Sequence, residues 1–172
     1  SADRPDGNWG GLLFFSHTLS GNVHDVYIRN NIFYKSTFKL LTFGAPWLSV
    51  DNLVIANNLF WQANPTDIAV AWGYKGSFDD HDITLANLIS SWQVDNKTIV
   101  QNNMVGDPVF VDAVNHNYAL QVTSPAIDAG ISIDGITSDY LQNKFSGLPD
   151  IGAYEYTTRL SKPGDANGDN LV

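Results

Sequence analysis

Two stretches of this chain, VYIRNNIFYKS at residues 26–36 and LVIANNLFWQA at residues 53–63, follow the same pattern. Each begins with alternating apolar residues, continues with a pair of asparagines, and ends with an aliphatic residue and two aromatic residues. Asn31 and Asn58 are therefore 27 positions apart. A chain that repeats one pattern at a fixed distance is expected to build the same structural unit more than once.

Two further stretches resemble this pattern, DITLANLIS at residues 82–90 and KTIVQNNMV at residues 97–105. Asn87 follows Asn57 by 30 positions, which continues the period, and we take it as the third copy. Asn102 follows Asn87 by only 15 positions, so we expect the fourth copy to be irregular or to lie on a different face.

A second series of apolar stretches lies between the copies. It places Phe15, Phe43 and Trp72 at steps of 28 and 29 positions. Its members are GLLFFS at 11–16, KLLTFG at 39–44 and IAVAWG at 68–73. Two independent series with one period indicate a regular coil, in which each copy is one rung.

The short runs alternate apolar and polar residues, which predicts β-strands and an all-β fold. Two strands in every repeat of just under thirty residues favour a solenoid of about four rungs, with equivalent strands stacked in parallel. Asparagines in register would then form a ladder of side-chain amides at a turn, because asparagine tolerates the left-handed conformation that a sharp bend requires. The alternative is a β-sandwich, whose strands usually recur every 8–12 residues.

The composition limits the classes of function. Hydrophobic residues make up 44% of the chain and charged residues 16%, which predicts a globular protein with a core. A net charge of -9, with nine scattered Lys and Arg residues, argues against nucleic acid as a partner. No apolar run is long enough to span a bilayer, so we expect no membrane partner. The chain has no cysteine, which excludes disulfides and thiolate metal sites.

The motifs NNIFY and NNLFW, together with GDPVFVDAVNHNYALQVTSPAIDAG and DIGAYEY, resemble the C-terminal part of pectate-lyase-like proteins. This superfamily includes polysaccharide lyases and glycoside hydrolases, and the resemblance covers about residues 10–156. It implies a right-handed parallel β-helix with a C-terminal cap, at residues 1–156. Within that cap we expect Val109–Val111 to form a last strand, and Tyr154 and Tyr156 to lie over the end of the coil.

The last residues differ in composition. A linker is predicted at 157–163, followed at 164–172 by a stretch similar to the first calcium loop of a type I dockerin. In that resemblance Asp165, Asn167 and Asp169 match the first ligand positions, so calcium is the implied cofactor. The closing acidic ligand is missing from the sequence, so we expect weak calcium affinity. A complete dockerin would bind the cohesin of a scaffoldin.

The loop AWGYKGSFDDHDITL holds the best candidates for catalysis, namely Lys75, Asp79, Asp80 and His81. Adjacent carboxylates raise each other's pKa or recruit a cation, and a desolvated lysine can act as a base. The alternative is a solvated acidic turn, which we favour over catalysis. His17 and His24 lack a third metal ligand in the sequence, and His116 is most simply a turn residue.

Exposed aromatic rings are candidates for sugar binding, because the apolar C–H face of a sugar lies flat on a π-surface. The candidate platforms are Trp61, Trp72, Tyr74 and Tyr34. Phe33 and Phe60, one position before Tyr34 and Trp61, are expected in the core instead.

Taken with the resemblance, these residues lead to the hypothesis of the C-terminal part of a secreted, extracellular carbohydrate-active enzyme. The reaction would be that of a polysaccharide lyase or a glycoside hydrolase acting on plant-type polysaccharide or oligosaccharide. The alternatives are a β-helix segment that binds glycan without catalysis, with the catalytic rungs elsewhere, and a purely structural solenoid.

Overall fold

A computed structural model of the protein describes residues 12–15, 22–35, 39–44, 49–72, 83–91 and 98–157. In these ranges the chain is mostly strand, with two short 3-10 turns and one four-residue helix, which confirms the all-β prediction. None of the helices in the same ranges is long and apolar enough to cross a membrane. The predicted linker, apart from Thr157, and the predicted calcium loop lie outside the described residues.

The strands are, in chain order, β1 (Leu12–Phe15), β2 (Asn22–Arg29), β3 (Ile32–Tyr34), β4 (Leu41–Gly44), β5 (Ser49–Ala56), β6 (Leu59–Trp61), β7 (Ile68–Trp72), β8 (Ile83–Thr84), β9 (Thr98–Gln101), β10 (Met104–Val105), β11 (Phe110–Asp112) and β12 (Asn117–Leu120). Most of them form three small sheets with parallel pairing. The first sheet has the order β1-β4-β7, the second β2-β5-β9, and the third β3-β6-β10. From β1 to β7 the chain therefore contributes one strand to each of the three sheets in turn. Each strand pairs with the strand that follows it three places later in chain order.

The register of these sheets confirms the repeat. In the second and third sheets Val26 pairs with Leu53 and Ile32 with Leu59, a step of 27 positions in both cases. In the first sheet Phe43 pairs with Phe14 rather than with Phe15, so the step there is 29 positions. The predicted alignment of Phe15 with Phe43 was wrong by one residue, which matters because a one-residue shift moves a side chain to the other face.

The predicted third copy does not contribute a strand to the second sheet. Its strand β8 pairs antiparallel with β7, and Asn87 lies in a 3-10 turn (Leu85–Asn87) that leads into the helix α1 (Leu88–Ser91). The true third copy is KTIVQNNMV, where Thr98 pairs with Leu53 across 45 positions. An inserted segment between β7 and β9 therefore interrupts the period without changing the register.

The main hydrophobic core lies between the sheets and includes side chains from each of them. Leu53, Ile55 and Phe60 are fully buried, and α1 adds the buried Leu88 to the same cluster. The rings of Phe33 and Phe60 stack with their centroids 4.7 Å apart and their planes 9° from parallel. Their expected place in the core is therefore confirmed.

The two asparagines of each copy have different tasks. The first one, at Asn30, Asn57 and Asn102, has a positive φ of 53–57°, which is the left-handed conformation that the bend between the second and third sheets requires. The second one, at Asn31, Asn58 and Asn103, supplies the side-chain amides of a ladder, which we call the amide ladder.

Each step of the amide ladder joins one copy to the next. Asn58 Oδ1 accepts hydrogen bonds from the backbone N–H of Asn31 at 3.0 Å and from its side chain at 3.1 Å. Asn103 Oδ1 accepts the same pair of bonds from Asn58, at 3.0 and 2.9 Å. The amide of Asn58 also donates to the carbonyl of Ile28 at 2.9 Å, and the side chain is fully buried. The ladder therefore satisfies backbone groups at a turn where no strand pairing can do so.

The C-terminal residues 106–157, which we call the tail, pack along the outer side of the third sheet. Ile32, Leu59 and Met104, the first residues of its three strands, form a second apolar cluster with Leu120 and Ile151 of the tail. These contacts involve all three copies. The tail therefore lies along the side of the third sheet, and not over the predicted last rung. The tail strand β11 begins at Phe110 and pairs antiparallel with β12, so it forms a hairpin and does not extend the parallel sheets.

The tail is joined to the left-handed asparagines. The side-chain amide of Asn30 donates to the carbonyl of Ile131 at 2.8 Å and accepts from its N–H at 3.0 Å, and Asn57 donates to Ala129 at 3.0 Å. A Cβ at Gly130 would lie 2.6 Å from the carbonyl oxygen of Pro149 and 3.2 Å from Asn30 Cγ. Glycine is required there because the backbone approaches so closely.

Two carboxylates stabilise the end of the tail by accepting hydrogen bonds from its backbone. Asp139 accepts hydrogen bonds from the backbone N–H groups of Asn143 at 2.8 Å and of Glu155 at 2.9 Å, and Asp150 accepts from Asp128 and Tyr156. Desolvation acts against the charge on Asp139, but the hydrogen bonds outweigh it and hold the pKa below its ordinary value. The pKa of Glu155 is raised, first by burial and further by the charges of Asp150 and Asp139.

Replacing Asn58 by alanine is expected to lower the free energy of unfolding by about 2–4 kcal/mol, because buried backbone groups lose their partners. The matched variant Asn31→Ala removes the exposed first member of the ladder and should cost less than about 1 kcal/mol. Urea denaturation of both variants measures the difference. A loss below about 1 kcal/mol for Asn58→Ala would show that the amide ladder does not contribute to stability.

The substitution Asp139→Asn is expected to destabilise the protein at neutral pH and to lose that effect as the pH falls. The pKa of Asp139 is lowered in the folded state, so its contribution is present above its ordinary value of 3.8 and disappears as the pH drops through the folded value. The pKa of Glu155 is shifted in the opposite direction, upward, so the wild type loses stability as Glu155 ionises. Glu155→Gln should therefore gain stability relative to the wild type as the pH rises above 4.5. Thermal unfolding at a series of pH values tests both, and a parallel pH response of the two variants would contradict this account.

Candidate functional site

A cleft of about 500 Å³ opens between the edge strand β3, the hairpin β11–β12 and the residues after Ile151. Its walls are mainly aromatic and its floor is the apolar cluster beneath the tail. We call it the aromatic cleft, and its exposed parts are formed by Asn31, Tyr34, Phe110, Tyr118 and Tyr154. It brings together side chains from the first copy and from the tail, which are far apart in sequence.

The aromatic rings of the cleft contact one another edge to face. The centroids of Tyr34 and Phe110 are 5.0 Å apart with the planes at 77°, and those of Phe110 and Tyr118 are 5.3 Å apart at the same angle. This is a preferred arrangement of aromatic pairs, because the positive edge of one ring meets the negative face of the other. The three rings therefore hold one another in a defined geometry.

Local sequence explains how the hairpin presents Tyr118. The side chain of Asp112 accepts a hydrogen bond from the N–H of Asn115 at 3.2 Å and so caps the 3-10 turn Ala113–Asn115. His116 then adopts a positive φ of 62°, which confirms its prediction as a turn residue. Its Nδ1 lies 3.1 Å from the hydroxyl of Tyr118, which fixes the orientation of that phenol.

A cation lies beside the cleft. The Nζ of Lys35 is 4.9 Å from the ring centroid of Tyr34, within the range of a cation–π contact. A hydrogen bond to Tyr34 raises the pKa of Lys35, and the carboxylate of Asp107 acts in the same direction. Lys35 is therefore charged at physiological pH, next to an aromatic wall.

The lining of the aromatic cleft presents surfaces and polar groups that can contact a ligand. Among the described residues that line it there is no aspartate, glutamate, histidine or lysine. It offers apolar ring surfaces together with phenol hydroxyls and the Oδ1 of Asn31, a combination that suits a ring-shaped, hydroxylated ligand.

The structure places only some of the residues predicted from sequence. Tyr34 lines the aromatic cleft, whereas Trp61, its neighbour in register on β6, is partly buried and packs against the main core. Trp72 ends β7, and its side chain is outside the description. Outside the described residues lie the predicted catalytic residues Lys75, Asp79, Asp80 and His81, the predicted platform Tyr74, and the predicted metal ligands Asp165, Asn167 and Asp169.

Three residues that form the walls of the cleft were not predicted to bind a ligand. Phe110 was expected in a final strand, Tyr154 over the end of the coil, and Tyr118 had no assigned role. The sequence carries one signal for Tyr118, since NYAL at 117–120 alternates and places Tyr118 and Leu120 on the same side of a strand. Which surface that side would face depends on how the tail folds back, and no local pattern indicates this.

No metal centre is found among the residues that the structure describes, in the sense of three or more His, Cys, Asp or Glu side chains placed around one point. His24, one of the two histidines considered from sequence, is exposed with its Nδ1 3.0 Å from Asp25, and His17 lies outside the described ranges.

Comparison with known proteins gives no assignment. No protein-family model matches the chain, and no curated protein sequence does so either. The function must therefore be argued from the fold and from the geometry of the cleft.

The packing of the tail against β3, at the floor of the cleft, can be tested with a pair of glycine substitutions. In Gly152→Ala the new Cβ would lie 2.9 Å from Ile32 Cδ1 at a φ of 123°, whereas in Gly135→Ala it would have nothing within 4 Å at a φ of 81°. Both variants carry the strain of a positive φ, so the difference between them reports the contact between tail and β3. We expect Gly152→Ala to be the less stable one by about 1 kcal/mol in urea denaturation. Equal stability would mean that the tail is not closely packed on β3.

Proposed function

We propose that the three parallel sheets are the faces of a right-handed parallel β-helix in which each copy is one rung, with the tail along its side. The support is that every third strand pairs in parallel from β1 to β7, and that the same asparagine pair turns the chain in three copies. Parallel crossover connections are right-handed in almost all proteins, which is the basis for the proposed hand.

We further propose that the chain is part of a secreted carbohydrate-active protein and that the aromatic cleft binds a sugar. The observation that carries this proposal is the set of aromatic rings held edge to face around a cleft of about 500 Å³. That volume is at the lower end of the range for small-ligand sites, which fits one or two sugar rings. The hydroxyl of Tyr118 and the Oδ1 of Asn31 would bind the sugar hydroxyls, because Asn31 Nδ2 already donates to Arg29 O and Asn58 Oδ1.

The geometry supports binding more directly than catalysis. Glycoside hydrolysis needs a pair of carboxylic acids on either side of the bond, and the described lining of the cleft has none. A role as polysaccharide lyase or glycoside hydrolase therefore rests on Lys75, Asp79, Asp80 and His81, outside the described residues. An assay for reducing sugar or unsaturated product on plant polysaccharides separates an enzyme from a glycan-binding segment.

The remaining parts of the proposal rest on sequence resemblance alone. They are secretion, weak calcium binding at Asp165, Asn167 and Asp169, and a scaffoldin cohesin as the partner of a complete dockerin. Calorimetry with calcium alone addresses the metal, since a tight site that requires Asp165 would contradict the expected weak affinity.

Replacing Tyr34 by alanine is expected to weaken sugar binding about fivefold, because an aromatic contact contributes about 1 kcal/mol. The matched variant Tyr34→Phe keeps the ring and should bind nearly as well as the wild type. The measurement is isothermal titration with neutral xylan, galactan and glucan oligosaccharides, after thermal unfolding has shown that both variants fold. Absence of binding by the wild type, or equal binding by Tyr34→Ala, would refute a sugar site in the cleft.

A further inference from the structure

A second aromatic surface adjoins the aromatic cleft on the tail. The ring of Tyr140 contacts the ring of Tyr154, with the centroids 6.1 Å apart and the planes at 81°. Tyr154 also lines the cleft, so its ring connects the cleft with Tyr140. Tyr140 is 76% exposed and the adjacent Leu141 is 62% exposed, so most of their apolar surface faces water. We call the surface formed by Tyr140 and Leu141 the outer platform.

The turn that carries the outer platform is held in place by backbone hydrogen bonds. The N–H of Tyr140 donates to the carbonyl of Ala153 at 2.9 Å, and Ala153 lines the cleft as well. Within the turn, the N–H of Gln142 donates to the carbonyl of Asp139 at 3.1 Å. The backbone of Tyr140 therefore has a fixed position relative to the cleft, although its ring is exposed.

The carboxylate of Asp139 joins this turn to the wall of the cleft. It accepts hydrogen bonds from the N–H of Asn143 at 2.8 Å and from the N–H of Glu155 at 2.9 Å. Glu155 directly follows Tyr154 in the chain, so one side chain holds both segments that carry the two rings. A ring on an ordered backbone loses little conformational freedom when a ligand lies on it, which makes the outer platform preorganised for binding.

The charges near the outer platform favour a neutral ligand. Burial raises the pKa of Glu155, and neighbouring carboxylates raise it further, namely those of Asp150, Asp139 and Asp128. Four carboxyl groups are therefore close enough to interact, and Lys144, which lies on the other side of the turn from Ser138, supplies one positive charge against them. An acidic saccharide would be repelled here, whereas a neutral one meets ring and aliphatic surface.

We propose that the aromatic cleft and the outer platform together bind an extended, neutral oligosaccharide, with Tyr140 as a subsite outside the cleft. This inference deepens the proposed function and rests on it. A cleft of about 500 Å³ holds one or two sugar rings, so the next ring of a longer chain lies outside it. A chain that passes Tyr154 meets Tyr140, and the apolar face of a sugar packs on that exposed ring.

The test measures how affinity depends on the length of the saccharide. Isothermal titration of the full chain uses disaccharides and hexasaccharides of xylose, galactose and glucose. For a sugar that binds, the wild type is expected to prefer the hexasaccharide. Tyr140→Ala should lose about fivefold of the hexasaccharide affinity, the effect of one aromatic contact, and should leave the disaccharide affinity unchanged.

Two matched variants accompany this measurement. Tyr140→Phe keeps the ring and should retain the affinity of the wild type for the hexasaccharide. Ile89→Ala removes exposed apolar surface on α1, outside the tail, and should bind both saccharides as the wild type does.

The outcomes separate the outer platform from the cleft. If the wild type binds none of these saccharides, the proposed function fails and this inference fails with it. If Tyr34→Ala weakens binding but Tyr140→Ala, folded as judged by its melting temperature, binds the hexasaccharide like the wild type, the outer platform alone is refuted. It is also refuted if Ile89→Ala shows the same loss. The same holds if sedimentation shows a wild-type dimer that Tyr140→Ala converts to a monomer, because the ring is then a contact between two copies of the chain.

Discussion

The interaction on which the rest of the structure depends is the amide ladder formed by Asn31, Asn58 and Asn103. Each step of the ladder provides a hydrogen-bond acceptor for a backbone N–H at the bend between the second and third sheets. The asparagine that precedes each ladder residue takes the left-handed conformation. Both tasks fall to neighbouring residues of the same type. The bend therefore recurs with the same geometry, and it keeps the two sheets in a common register even where an inserted segment separates the copies.

The same bends also determine where the tail lies. Asn30 and Asn57 use their side-chain amides to bind the backbone at Ile131 and Ala129, so the tail follows the line of bends. In that position it buries the outer apolar residues of the third sheet, which would otherwise face water. The aromatic cleft exists because the hairpin and the residues after Ile151 stand apart over the edge strand β3.

The electrostatics of the aromatic cleft follow from the residues that form its walls. The aromatic cleft is lined by neutral residues, with Lys35 beside it, and is suited to ring stacking and to hydroxyl groups.

The sequence by itself determined the all-β class, the period and the double use of asparagine, because strand alternation and the left-handed bend are local properties of a few residues. Only the tertiary structure decided which copies are equivalent. The stretch around Asn87 has a suitable local pattern but forms a short antiparallel strand and a helical turn, whereas the stretch around Asn102 pairs with β5. That choice depends on long-range pairing, which local pattern does not encode. For the same reason the cleft could not be predicted, since Tyr34, Phe110 and Tyr154 meet only after the tail folds back over β3.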